Sequence, residues 1–193
     1  HRRRDPGGDR YQRCRRTDRL PSRAGSLNVF LTGPRQIGKS TAVRRYLAGC
    51  GLHYGGFFTV WGPDDRLHLL RAADPGAKMT AATAVARRAN SRVQAEAAAF
   101  DHLGCQALEA PAQLLVLDEL GFLERDAAAF RRRIQQVLDG PTPVLGVVRQ
   151  VGSLFLPALQ ARADTVVLTV TLENRDAIPA LLCQYLPNGA PQQ

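Results

Sequence analysis

Apolar and polar positions along the chain alternate in blocks. Leu27-Asn28-Val29-Phe30-Leu31-Thr32 has the length and composition of one buried strand, Gly33-Pro34 breaks it, and Lys39 to Ala48 has the pattern of a helix. Gly56-Phe57-Phe58-Thr59-Val60-Trp61 and Leu67-His68-Leu69-Leu70-Arg71 predict a hairpin across the turn residues Gly62-Pro63-Asp64-Asp65. A loop containing Pro75-Gly76 follows. The Ala-rich stretch from about Asn90 to Glu109 predicts a helix on propensity, ended by Pro111.

Three further strands are expected at Leu114 to Leu117, Val144 to Val148 and Thr165 to Val170, alternating with helical segments. One of these helices gathers Phe130, Ile134, Val137 and Leu138 on a single face and leaves Arg131, Arg132 and Arg133 toward solvent; the last repeats the arrangement with Ile178, Leu181, Leu182 and Tyr185. Such alternation predicts an α/β fold, a mostly parallel sheet flanked by helices with an added β-hairpin. Ligands of such sheets bind beyond the carboxyl ends of the strands.

Composition narrows this picture. The 193 residues fit one domain, and no apolar run reaches the roughly 18 to 20 residues needed to span a bilayer, so a soluble, cytoplasmic protein without membrane contact is expected. Cys14, Cys50, Cys105 and Cys183 form no Cys-x-x-Cys pair and have no histidine at ligand spacing, which argues against zinc. The net charge is +9, but residues 1–26 hold nine Arg against three Asp and so supply +6 of it. That segment has too few apolar residues to fold alone and reads as a flexible basic tail before a domain at 27–186, with 187–193 as a C-terminal tail. Contact between the basic tail and nucleic acid is possible but not favoured, because Tyr11 is its one aromatic residue. Oligomeric state is not legible.

The chemistry starts at Gly33-Pro34-Arg35-Gln36-Ile37-Gly38-Lys39-Ser40, which satisfies G-x-x-x-x-G-K-[ST] between a predicted strand and a predicted helix. In such a loop Gly33 and Gly38 let backbone N–H groups converge on phosphates, and the helix N-terminus adds its dipole. Lys39 and Lys78 are the only lysines beside 24 arginines. A compact ammonium at Lys39 donates to phosphate oxygens as a point charge, which a planar guanidinium does not replace. Ser40 is expected to place its hydroxyl on Mg²⁺, and Thr41 to contact the α-phosphate.

Leu114-Leu115-Val116-Leu117-Asp118-Glu119 is an apolar strand ending in two carboxylates, a Walker B segment in pattern. Asp118 is expected in the Mg²⁺ shell with Ser40, and Glu119 as the base toward an attacking water, with Lys39 on the transferred phosphoryl group. Caps or solvated acids are the alternative reading of the pair, and Glu124 and Asp126 nearby could also cap the following helix. Arg149 and Arg35 are candidates for offsetting developing charge, and Gln150 for orienting water.

With these residues in view the chain resembles the small P-loop nucleoside-triphosphatases of the THEP type, called cancer-related NTPases in vertebrates. The likeness lies in Val29 to Gly33 with Gly38-Lys39-Ser40-Thr41, in Gly55-Gly56-Phe57-Phe58-Thr59, in Leu117 to Glu124, and in Val170-Thr171-Leu172-Glu173-Asn174-Arg175-Asp176, spanning residues 27–186. It implies a RecA-like P-loop fold, Mg²⁺-dependent hydrolysis of several nucleoside triphosphates to diphosphate and phosphate, nucleotide binding at Gly33 to Thr41, and a functional part for Asp118 and Glu119. Asn174-Arg175-Asp176 falls short of an N-K-x-D guanine reader, so selectivity for GTP does not follow. Arg35-Gln36-Ile37 and Phe122 depart from the family pattern, the latter standing where many members have Lys.

Two other readings stay open. A P-loop kinase would need an acceptor pocket and a lid, for which the predicted loop from Ala72 to Arg88 is the candidate. A nucleotide-binding adaptor would use the basic tail as its working surface.

Overall fold

The computed structural model of the protein describes residues 27–189. Eight strands form one sheet: β1 (Asn28–Thr32), β2 (Tyr54–Trp61), β3 (Arg66–Arg71), β4 (Ala84–Ala89), β5 (Arg92–Ala95), β6 (Leu114–Leu120), β7 (Val144–Val148) and β8 (Thr165–Thr169). Their spatial order is β5-β4-β3-β2-β6-β7-β1-β8. From β2 to β8 every neighbouring pair is parallel, whereas β2-β3, β3-β4 and β4-β5 are antiparallel. The helices are α1 (Lys39–Cys50), α2 (97–107, with a π-helical turn at Phe100–Gly104), α3 (Ala128–Leu138), α4 (Leu156–Ala161) and α5 (Ile178–Tyr185). None of them is long and apolar enough to cross a membrane.

The parallel part has a core on each face, because its strands are covered on both sides and read as continuous apolar runs. Toward one face Val29, Leu31, Leu145 and Val147 meet Val43, Tyr46 and Leu47 of α1 and Ile178 and Leu182 of α5. Toward the other, Phe30, Leu115, Leu117 and Val148 meet Phe130, Ile134 and Val137 of α3 and Phe100 of α2. Phe130 is fully buried, 5.5 Å from the Phe57 ring and 5.9 Å from that of Phe100, and burial of such a side chain contributes about 1.5–3 kcal/mol. Phe30 pairs in register with Gly146, where an added Cβ would lie 2.2 Å from the Phe30 ring. The small residue in β7 is thus required by the large one in β1.

The predicted helix from Asn90 is corrected. Asn90 and Ser91, both at positive φ (48° and 62°), form a two-residue hairpin loop that pairs Ala89 with Arg92 and Arg88 with Val93. Two central residues at φ > 0 match the twist of a hairpin, and Asn tolerates that region. Cross-strand pairing overrides alanine propensity here, and the helix begins only at Ala97. The predicted hairpin is therefore a four-stranded meander, and the segment from Ala72 to Arg88 ends in strand β4 instead of forming a loop throughout. Residues 187–189 run beside the end of α1, where Tyr46 Oη donates to Pro187 O (2.8 Å) and Gly189 N to Cys50 O (2.8 Å). The expectations for residues 1–26 and 190–193 lie outside the described residues.

Because β1, β6, β7 and β8 are parallel, the loops that follow them open at one edge of the sheet. β7 lies between β1, which leads into Gly33, and β6, which ends in the acidic pair.

Candidate active site

The glycine loop joins β1 to α1. Gly33 has φ +134°, and an added Cβ would lie 2.5 Å from Val170 O, so the backbone just past β8 fixes this turn as a glycine position. Gly38, at φ +110°, sets the entry to α1, whose first residue is Lys39. Lys39 is only 7% exposed, and its Nζ donates to Gly33 O (3.0 Å) and Pro34 O (2.7 Å) of the loop. Desolvation lowers its pKa, Glu119 and Asp118 counter that shift, and Arg149 and Arg35 add to it.

The acidic pair stands opposite. β6 shifts register against β7 between Asp118 and Leu120, so Glu119 is the additional residue of a bulge. Both carboxylates consequently line the same cavity despite the alternation of a regular strand. Asp118 is 4% exposed and accepts a hydrogen bond from Ser40 Oγ (3.1 Å). Burial pushes its carboxyl up to about 6 against the lowering effect of Ser40. Glu119 is partly buried, its N–H donates to Thr59 Oγ1 (3.1 Å), and its Oε1 lies 3.9 Å from Arg149 Nε. Desolvation raises its pKa too, opposed by Lys39, Arg149 and Arg35. Arg149 stacks over the Phe122 ring at 4.7 Å, so Phe122 helps hold a cation beside Glu119.

These groups share a cavity of about 450 Å³ that also includes Arg35, Gln36, Thr41 and Glu124. Arg35 is exposed at its rim. Gln150 lines neither this cavity nor the one beyond it. Glu124, a candidate cap in the sequence, is instead buried (3% exposed) and accepts a hydrogen bond from Gly121 N (3.2 Å); burial pushes it up to about 7. Asn174 and Thr171 cap each other's backbone: Thr171 N donates to Asn174 Oδ1 (2.8 Å) and Asn174 N to Thr171 Oγ1 (3.4 Å).

Beyond Thr41 a second cavity, of about 320 Å³, is lined by Gln36, Arg45, Arg175 and Asp176 among others. Sequence reasoning missed the opposite wall of the first cavity, made by Thr59, Trp61, Leu67, Arg88 and Val93 of the meander. Its signal was the turn pair Asn90-Ser91, which marks β4 and β5.

The sequence model of one family, described as NTPase, matches residues 28–182 of the chain. The chain belongs to the NTPase family. It is therefore an enzyme that hydrolyses nucleoside triphosphates. Among curated relatives, nucleoside-triphosphatase THEP1 of Natranaerobius thermophilus is 27% identical over 170 residues, covering 82% of this chain and 96% of the relative. THEP1 of Thermofilum pendens is 35% identical over 77 residues, 39% of this chain and 42% of its own. In fold, the crystal structure of THEP1 from Aquifex aeolicus aligns at a TM-score of 0.70 with 19% identity, covering 83% of this chain and 99% of that one. The solution structure of a human cancer-related nucleoside triphosphatase aligns at 0.59 with 22% identity, covering 81% and 96%. A RecA-like P-loop fold is common to the family members and this chain.

Proposed function

We propose that residues 27–186 form the catalytic unit and hydrolyse several nucleoside triphosphates with Mg²⁺, the phosphates lying on Gly33 to Thr41. The observation that carries this reading is the 3.1 Å contact from Ser40 Oγ to Asp118 Oδ1, in the cavity that also holds Lys39 and Glu119. A hydroxyl and a buried carboxylate are hard oxygen donors, and a cation would offset the burial that raises the Asp118 carboxyl, so the pair fits a small divalent cation. Ser40 and Asp118 would hold Mg²⁺, which supplies neutralisation of charge on the phosphate oxygens.

This chain's residues account for the rest. The Nζ of Lys39 already donates to two loop carbonyls and exchanges them for phosphate oxygens. Glu119 accepts a proton from water, whose oxygen bonds to the γ-phosphorus as the bridging P–O bond breaks; diphosphate and phosphate leave. Burial raises the basicity of Glu119, which suits it to that proton. Arg149, 3.9 Å away, keeps the carboxylate oriented and faces the developing charge.

The second cavity, where the nucleoside would extend past Thr41, supports low base selectivity. Arg45 and Asp176 pair there at 3.8 Å with side chains 62% and 83% exposed, and a solvated pair of this kind reads a base edge weakly. Phosphate release from ATP, GTP, CTP and UTP, with Mg²⁺ and with excess EDTA, tests the reading. Rates within about tenfold of one another, lost with EDTA and restored by Mg²⁺, are expected. Strict preference for one base, or full activity in EDTA, would sink it.

A further inference from the structure

The β/γ end of a triphosphate on the cradle reaches Lys39, Ser40 and Asp118, but the cavity continues past Glu119 to the meander. Strand register explains how that wall is built. Trp61 pairs with Leu67 and Leu67 with Ala86, while Arg88, two residues on from Ala86, pairs with Val93. With side chains alternating along each strand, Trp61, Leu67, Arg88 and Val93 therefore share one face, together with Thr59, whose hydroxyl accepts from Glu119 N. Hydrolysis uses none of the four outer residues.

Their chemistry is specific in class. Trp61 offers a planar apolar surface, with Leu67 and Val93 beside it. The Arg88 guanidinium lies 4.6 Å over the Trp61 ring, which holds a cation against one face of that ring. Its other partner is Asp65, at 3.2 Å with side chains 46% and 66% exposed, a solvated pair that yields readily to a stronger anion. Arg149 and Arg35 add positive charge on the side toward the γ-phosphoryl group.

We propose that this end of the cavity is a subsite for a second ligand of the nucleoside monophosphate class, its planar base against this wall and its phosphate oxygen toward the γ-phosphoryl group. The proposal rests on the phosphate placement given above. A ligand so placed is a phosphoryl acceptor in competition with water. A monophosphate oxygen bonds to the γ-phosphorus as the bond to the β-bridging oxygen breaks. The acceptor becomes a diphosphate, the donor leaves as a diphosphate, and a dianionic acceptor requires no proton transfer.

Trp61 is the chain's single tryptophan, so its fluorescence reports this wall alone. The protein with Mg²⁺ and a non-hydrolysable β,γ-imido ATP is titrated with AMP, GMP, CMP and UMP in turn. Saturable quenching by at least one is expected, weakened about tenfold or more in Arg88→Ala and in Val93→Glu, which removes a cation from the wall or adds an anion to it. In parallel, γ-labelled ATP with the same monophosphate is expected to give labelled diphosphate beside labelled phosphate. Both variants are expected to keep the parent's ATP hydrolysis without acceptor, which shows that fold and cradle are intact. Absence of quenching by all four, or quenching unchanged in both variants while they hydrolyse ATP normally, overturns the subsite. Quenching with label only in inorganic phosphate overturns the acceptor role. Loss of hydrolysis in the parent itself would overturn the phosphate placement instead.

Discussion

Replacing Glu124 by Gln tests the electrostatics of the site's floor. The side chain is 3% exposed, and its carboxylate accepts from Gly121 N at 3.2 Å. Burial pushes its pKa from an ordinary 4.5 to about 7, with Glu119 adding to the rise and Arg149 opposing it. A group whose pKa is raised on folding stabilises the fold fully below its unfolded value, and this contribution is lost as pH climbs through the folded value. For Glu124 the loss runs between about pH 4.5 and 7 and amounts to roughly 3 kcal/mol, at about 1.4 kcal/mol per tenfold change in proton affinity. Gln is close to isosteric, keeps a carbonyl for Gly121 N and carries no charge. Urea unfolding of the metal-free and nucleotide-free protein, followed at Trp61, is therefore expected to show Glu124→Gln level with the parent near pH 4 and about 3 kcal/mol more stable at pH 8. Parallel curves for parent and variant from pH 5 to 8 would refute this account of Glu124.

Gly146→Ala should destabilise by about 1–3 kcal/mol, since its methyl would meet the Phe30 ring, and Phe30→Leu in the same chain should recover part of that; chemical denaturation checks both. Arg149→Ala should lower kcat about 10- to 100-fold with little change in KM, because the guanidinium stands 3.9 Å from Glu119 and acts on charge that develops during reaction; steady-state kinetics separate the two constants.

Much of this was legible beforehand because strong local signals and the global fold agree. The run predicted from Leu27 to Thr32 forms β1 at Asn28–Thr32, α1 starts at Lys39, and the predicted apolar face Phe130, Ile134, Val137 and Leu138 is buried. The meander was not legible in full. Ala-rich β4 and β5 carry weak strand propensity, and only pairing across Asn90-Ser91 makes them strands. The same gap hid Arg88 and Val93, and the pairing of Arg149 with Glu119 depends on a bulge between Asp118 and Leu120 that no alternation pattern announces. Glu124 read as a cap from its position before a helix, whereas packing carried it inward to Gly121.

The assignment of Glu119 as the proton acceptor is the center of the account, and Glu119→Gln tests it most directly. Gln cannot take a proton from water but keeps the shape of the cavity. Triphosphate binding in the presence of Mg²⁺ is expected to stay within a few-fold of the parent while single-turnover hydrolysis falls about 10²- to 10⁴-fold. A variant that binds nucleotide and hydrolyses it as fast as the parent would contradict the account.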